Sequence, residues 1–172
     1  MLVNFNTVDS GFEIERKWLI DLNSITYDLS EMDKYSITQT YINYSPEIRV
    51  RKIENNGEVY YTMTIKRYIN EDALTREETE FQITEEEYLN TVVRGLDNTI
   101  LKDRYQLELD GLIYCFDVFY GDLEGLAYLE IEFDNEEEAN NFVEPDWVIQ
   151  DVTNDRRFKN QSLAQFGVPI DK

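Results

Sequence analysis

Apolar and polar residues alternate along eight separate runs of this chain, and on most runs the polar side carries charges of both signs. A period of 2 marks a strand that turns one face to each side of a sheet. The runs are 12–20, 36–44, 47–54, 58–68, 74–83, 99–109, 112–120 and 126–133. Asn55-Asn56-Gly57 and Asp110-Gly111 each separate two such runs and suit tight hairpins. Helical signals are fewer. Thr84 and Glu87 form a capping box before 88–94, with Gly95 at the C′ position; Asn135 caps a helix to Val143; 160–166 ends before Gly167; 25–33 holds a short turn. The expectation is one domain over 1–172, mainly β with some helix (α+β), built on about eight antiparallel strands.

The charged faces narrow this further. Glu13, Glu15 and Lys17 share one face of the first run, and Arg49 with Arg51 one face of the third. Lys66 follows Thr62 and Thr64; Arg76, Glu78 and Glu80 align; so do Lys102 and Arg104; Asp117 and the pair Glu130 and Glu132 complete the set. These faces hold seven of the 16 basic residues in a chain with 36 acidic residues and a net charge of −20. A surface ion pair accounts for any one of them. Repetition over six or seven strands fits better with a closed or nearly closed antiparallel barrel whose interior is charged. Eight strands leave room inside for side chains or one small ligand. The opposite faces then need an outer covering, to which Trp18, Phe116, Phe119, Phe133 and Trp147 are assigned. Tyr41 and Tyr60 stay open as candidates for stacking a base.

Charge and composition also exclude functions. A net charge of −20 repels nucleic acid and anionic membrane. No run approaches the roughly 18 apolar residues of a membrane span. One cysteine, Cys115, precludes an internal disulfide and reads as a packing residue. With no visible export signal, a cytoplasmic setting is expected. The absence of histidine removes Ser-His-Asp and Cys-His catalysis and His-ligated zinc. A charged interior must be wet or occupied. Inward Lys and Arg suit a chain of phosphates. Carboxylates beside them would repel that chain unless a divalent cation intervened, and an oxygen-only donor set points to Mg2+ or Mn2+. Replacing Glu130 or Glu132 with Gln would on this view relieve like-charge repulsion.

Glu13-Ile14-Glu15-Arg16-Lys17 is a Glu-x-Glu-x-Lys motif. It is followed in order by Gln39-Thr40-Tyr41, Arg49-Val50-Arg51, Thr64-Ile65-Lys66, the run from Arg76 to Glu80, Lys102-Asp103-Arg104-Tyr105, Asp117 to Gly121, Gly125-Leu126, Glu130-Ile131-Glu132 and Asp151 to Asn160. The set resembles the CYTH superfamily, the triphosphate tunnel metalloenzymes, over 12–166. The resemblance implies an eight-stranded β-tunnel, helices packed outside it, and hydrolysis or cyclisation of a triphosphate. It implies Glu13, Glu15, Glu130 and Glu132 as metal ligands, supported by Asp117, Glu78 and Glu80. Lys17, Arg49, Arg51, Lys66, Arg76, Lys102 and Arg104 would hold phosphates, and Arg157 or Lys159 would reach the tunnel mouth. Glu15 and Lys17 would be catalytic, Glu15 by orienting and deprotonating water. Asp151 stands where the family usually has Glu. The leading activity is cleavage of tripolyphosphate to pyrophosphate and phosphate. Behind it stand a class IV-type adenylyl cyclase, a thiamine triphosphatase and a non-catalytic polyphosphate-binding module, the last disfavoured by the paired glutamates. The expected partner is a small polyanion, with neither nucleic acid nor membrane; a homodimer is left open.

Overall fold

The computed structural model describes residues 9–69, 75–97 and 99–170. Its strands are β1 (Asp9–Ile20), β2 (Asp33–Tyr44), β3 (Glu47–Asn55), β4 (Glu58–Tyr68), β5 (Thr75–Ile83), β6 (Ile100–Leu109), β7 (Leu112–Tyr120), β8 (Ala127–Glu132) and β9 (Val148–Asp151). The α-helices are α1 (Glu85–Val92), α2 (Glu136–Asn141) and α3 (Asn160–Phe166). Both expected hairpins are tight because their turn residues accept positive φ: Asn56 at 50° with Gly57 at 80°, and Asp110 at 51° with Gly111 at 79°. That geometry follows the right-handed twist of the flanking strands.

The first eight strands close on themselves. The hydrogen-bonded order is β1, β5, β4, β3, β2, β6, β7, β8 and back to β1, antiparallel throughout. Closure removes sheet edges and turns period 2 into an inside and an outside. All eight expected strands are present, with shifted ends; Leu74, the expected start of the fifth, lies outside the described residues. The ninth strand was not expected. It is four residues long, shows no alternation, and owes its extended form to pairing with β1, Trp18 opposite Asp151.

The helices are shorter than expected. In α1 the capping box forms, with Glu87 N–H donating to Thr84 Oγ1 at 3.1 Å and Thr84 N–H to Glu87 Oε2 at 2.7 Å. The helix ends at Val92, so Gly95 is not its C′ residue. Glycine is needed at 95 for another reason: a Cβ there would lie 2.6 Å from Thr40 Cγ2. In α2 the Asn135 cap forms, and the helix stops at Asn141 rather than Val143. Residues 29–31 make the short turn expected within 25–33. No helix among the described residues is long and apolar enough to cross a membrane.

Two of the three apolar clusters decide the barrel's shape. Outside, Trp18, Phe116, Leu129, Ile131 and Phe133 pack against α2, Phe142 and Trp147. At one end, Tyr41, Ile100, Phe119 and Tyr128 meet Phe158 and the Leu163 and Ala164 of α3. These four strand residues alternate in register with Gln39, Lys102, Asp117 and Glu130, so they point inward and close that end. Phe119 therefore does not cover the outside as expected. Tyr41, buried with its hydroxyl accepting from Gln39 Nε2 at 2.6 Å, is not placed to stack a base. Period 2 puts Phe119 on the face of Asp117 and Tyr41 on that of Gln39, but it gives no position along the axis.

If α3 is the plug of the barrel, Leu163→Ala (2% exposed) should cost about 2–5 kcal/mol, as a buried large-to-small change does. Phe166→Ala (81% exposed), three residues on, should cost under about 0.5 kcal/mol. Urea midpoints of both variants measure this; equal midpoints would mean that α3 is not part of the core.

Candidate active site

The barrel encloses a cavity of about 450 Å3. Its wall runs from Lys159 and Asn160 at the α3 end to Gly111, Leu112 and Ile113 of the β6–β7 hairpin. Into this space β1 sends Glu13, Glu15 and Lys17; β3 sends Arg49 and Arg51; and β4 sends Lys66. From β5 come Arg76, Glu78 and Glu80, from β6 Lys102 and Arg104, and from β8 Glu130 and Glu132. Asp117 of β7 is fully buried behind Lys102 and Arg104.

The charges form three groups. In the first, Glu13 binds Lys66 Nζ at 2.6 Å and Arg76 at 3.1 Å, and Lys66 also reaches Glu78 at 3.0 Å. In the second, Arg104 forks onto both oxygens of Asp117 at 2.7 and 2.8 Å. Lys102 meets Asp117 at 2.7 Å; Arg104 continues to Glu130 at 2.7 Å, and Glu130 to Lys17 at 2.9 Å. Lys17 Nζ also stands 4.8 Å from the centre of the Tyr128 ring. In the third, Glu80 accepts from Arg51 and from Thr64 Oγ1, each at 2.7 Å.

The carboxylates titrate in two opposite senses, and an ion pair alone does not decide which: burial raises Glu78 although Lys66 stands 3.0 Å away. Burial opposes the charged form everywhere. At Glu13, Lys66 and Arg76 outweigh it and hold the carboxyl well below the usual range. Lys17, Arg104 and Lys102 do the same for Glu130, Arg104 and Lys102 for Asp117, and Arg51 with Thr64 hold Glu80 at about 2. Glu15 is pushed up to about 7 by burial, then by Glu130 and Glu13. Glu132, at the open end, is pushed up to about 7 by partial burial and by Glu13, Glu15 and Glu78. Among the described residues neither has a Lys or Arg within ion-pair distance. Glu13, Glu15, Glu78 and Glu132 thus crowd together with too few cations. That oxygen-only surplus of negative charge fits a divalent cation, although among the described residues no three acidic or thiol groups already converge into a centre.

Of the site residues expected from the sequence, all line this cavity except Asp117, buried behind Lys102 and Arg104, and Arg157. Arg157 is exposed and bound to its neighbour Asp155 at 2.6 Å, because the turn at 156–158 points it away. Lys159 takes the inward position: it is 4% exposed, without an ion-pair partner among the described residues, and lowered to about 8 by burial and by Lys17 and Arg76. Asp151 lies on the outer side, held by Arg16 at 2.6 Å and accepting from Thr153 N–H. Glu130 is so well paired that its replacement would leave Lys17 with no ion-pair partner among the described residues and Arg104 with Asp117 alone; of the two, relief of repulsion applies to Glu132. Sequence reasoning missed Glu47, buried beside Arg76 at 3.9 Å, and Tyr35. Extending the alternation back from Arg49 would have found Glu47. Cys115 lines the wall, its thiol pushed up to about 11 by burial.

No family model matches the chain. An inorganic triphosphatase of Nitrosomonas europaea is 35% identical over 155 residues, covering 88% of this chain and 96% of its own. An inorganic triphosphatase of Acetivibrio thermocellus is 29% identical over 157 residues, covering 90% and 94%. A crystal structure of an inorganic triphosphatase shares the fold with a TM-score of 0.60 at 31% identity, covering 88% of this chain and 93% of that one.

The raised and lowered carboxyls set a pH profile for the metal-free protein. Glu15 and Glu132 hold their protons more tightly folded than unfolded, so stability falls as pH rises from about 4.5 to about 7. Glu80, Glu13, Glu130 and Asp117 act oppositely: their contribution is present above the ordinary carboxylate range and is lost as pH falls through and below it. The melting temperature in EDTA should therefore peak near pH 5. Glu132→Gln should raise it at pH 8 with little change at pH 5. Glu130→Gln should lower it at both, by about 3–5 kcal/mol of stability, since it breaks a buried ion network. A flat profile between pH 5 and 8 would contradict this electrostatic picture.

Proposed function

The chain belongs to the CYTH superfamily as an inorganic triphosphatase-like protein, and on that footing we propose that it cleaves inorganic tripolyphosphate to pyrophosphate and phosphate within the barrel, with Mg2+ or Mn2+ as cofactor. The observation that carries this reading is the concentration of inward cations, buried and facing one cavity, in a chain of net charge −20. Phosphoryl transfer is mostly positioning and electrostatic stabilisation.

Lys17, Arg49, Arg51, Lys66, Arg76, Lys102 and Arg104 hold the phosphate oxygens, and Lys159 takes the role expected of Arg157. Asp117 and Glu80 are fully engaged by cations and orient them. Glu13, Glu15, Glu78 and Glu132, with Glu130 beside them, are the carboxylates that would hold the metal. When bound, Mg2+ or Mn2+ supplies a Lewis acid that neutralises charge on the phosphate oxygens. Glu15, which faces the cavity from the motif strand, would accept a proton as water attacks phosphorus. The P–O bond to the departing pyrophosphate breaks, and Lys and Arg contacts stabilise its negative charge. A reducing cytoplasm suits the free thiol of Cys115, and the reaction requires neither nucleic acid nor membrane.

Phosphate release from tripolyphosphate should vanish with excess EDTA and return with Mg2+ or Mn2+. Under the same metal, kcat/KM for tripolyphosphate should far exceed that for ATP, and no cyclic AMP should form. Activity in EDTA would overturn the metal requirement; cyclic AMP from ATP would move the assignment to the cyclase.

Lys159→Met and Arg157→Met separate the two C-terminal cations. Losing a charge-assisted contact costs about 1.5–3 kcal/mol, so Lys159→Met should weaken tripolyphosphate binding roughly tenfold or more. Its melting temperature should hold, because an unpaired buried ammonium is removed. Arg157→Met should bind as the parent does. Calorimetric titration distinguishes them, and equal affinities in all three proteins would exclude Lys159 from the site.

A further inference from the structure

The inner wall changes character along the barrel axis. On β3 Arg49 and Arg51 are followed by Ile53; on β4 Lys66 leads through Thr64 and Thr62 to Tyr60. On β6 Lys102 and Arg104 give way to Gln106, and on β7 Asp117 gives way to Cys115 and Ile113. On β2 the residues that line the cavity are Ile37 and Tyr35, the latter paired with Arg104. Antiparallel pairing brings all these uncharged positions to one end of the barrel, the end of the β3–β4 and β6–β7 hairpins. On these strands Arg51 and Arg104 are the cations nearest that end. The only inward charge that β8 adds there is Glu132, an acid. The opposite end is closed by the cluster of Tyr41, Phe119 and Tyr128 against α3, with Lys159 on the cavity side.

We propose that this uncharged collar sets the length of phosphate chain the protein accepts, an inference that rests on the triphosphatase reading above. A chain seated against Lys159 cannot slide deeper, because the plug is apolar and packed. Its last phosphate supported by cations is the one beside Arg51 and Arg104. A further phosphate would stand among Ile53, Tyr60 and Ile113 and near Glu132. There it loses part of its hydration with no Lys or Arg in exchange. Tripolyphosphate is favoured over tetrapolyphosphate and longer chains by this step in the wall.

The test compares tripolyphosphate with tetrapolyphosphate in the parent protein and in Tyr60→Lys, Ile113→Lys and Ile113→Gln, under one Mg2+ concentration. Both positions are half-buried at the mouth, so a lysine stem can lie along the wall with its ammonium toward water; melting temperatures check that each variant folds. In the parent, kcat/KM should favour tripolyphosphate by about ten- to a hundredfold, the ratio for one desolvated polar group left unpaired. Each lysine should shrink that ratio by roughly tenfold by improving use of the longer chain, whereas Ile113→Gln should leave it unchanged. Equal use of both chains by the parent, or an unmoved ratio in folded lysine variants, would overturn the collar. If neither chain is hydrolysed, the triphosphatase reading fails. The collar is then judged by calorimetric titration of the same two anions with Mg2+, where equal affinities in the parent would overturn it.

Discussion

Closure of β1 onto β5 puts acids and bases into a single enclosed volume, and the rest of the structure answers to that. An isolated ion inside a protein costs several kcal/mol even after relaxation, whereas an exposed pair contributes at most about 1 kcal/mol. The interior therefore has to be solved as a network. Asp117, fully buried, is tolerable because Arg104 covers both its oxygens and Lys102 caps one of them. Glu13 is tolerable because two cations from β4 and β5 meet it across the closing seam. The same seam makes the alternation meaningful. Without closure the polar faces would be ordinary solvated surface, and the pairing of Glu13 with Arg76 is one of the rungs that join the first strand to the fifth.

The motif strand is held where its neighbours change. One edge of β1 pairs with β5 as far as Ile14 and with β9 from Trp18. In the gap lie Glu15, Arg16 and Lys17. There Val152 N–H donates to the Lys17 carbonyl at 2.9 Å, and Lys17 N–H donates to Thr153 Oγ1 at 3.0 Å. Arg16 points outward and bonds the carbonyls of Ala139 and Phe142, each at 3.0 Å, and Asp151 at 2.6 Å. The intervening residue of Glu-x-Lys thus fastens α2 and β9 to the back of the site. It also accounts for Asp151, whose carboxylate is committed to Arg16 and to Thr153 N–H on the outer side.

Much of this was legible in the residues. Period 2 located eight strands, Asn56-Gly57 and Asp110-Gly111 named their own turns, and the inward charges followed from spacing alone. What stayed hidden depends on tertiary packing. The four residues of β9 carry no periodic signal and become a strand only beside β1. Phe119 and Tyr41 occupy inward positions, but alternation does not say where along the axis a charged lining becomes an apolar plug. Between Arg157 and Lys159 the choice was made by a short turn that ends before α3 and leaves the lysine buried. Gly95 looked like a helix terminator, and its real constraint is a close approach to Thr40, 55 positions away in sequence.

Because the interior is already paired, nothing charged enters it by simple addition. A phosphate that recruits Lys66 competes with Glu13 and Glu78, and one that recruits Arg104 competes with Asp117 and Glu130. Each cation surrendered leaves a buried carboxylate less compensated, which raises the attraction of that carboxylate for another cation. A divalent ion arriving with the phosphate chain restores the balance in one event, whereas the phosphate chain alone leaves it worse. Linkage then requires the two to strengthen each other's binding by the same factor. Glu15 and Glu132, which lack a basic partner among the described residues, are where the surplus negative charge already sits before any ligand arrives. The imbalance is thus placed beside the motif strand and the open end, while the deep floor around Asp117 stays neutralised by its own cations.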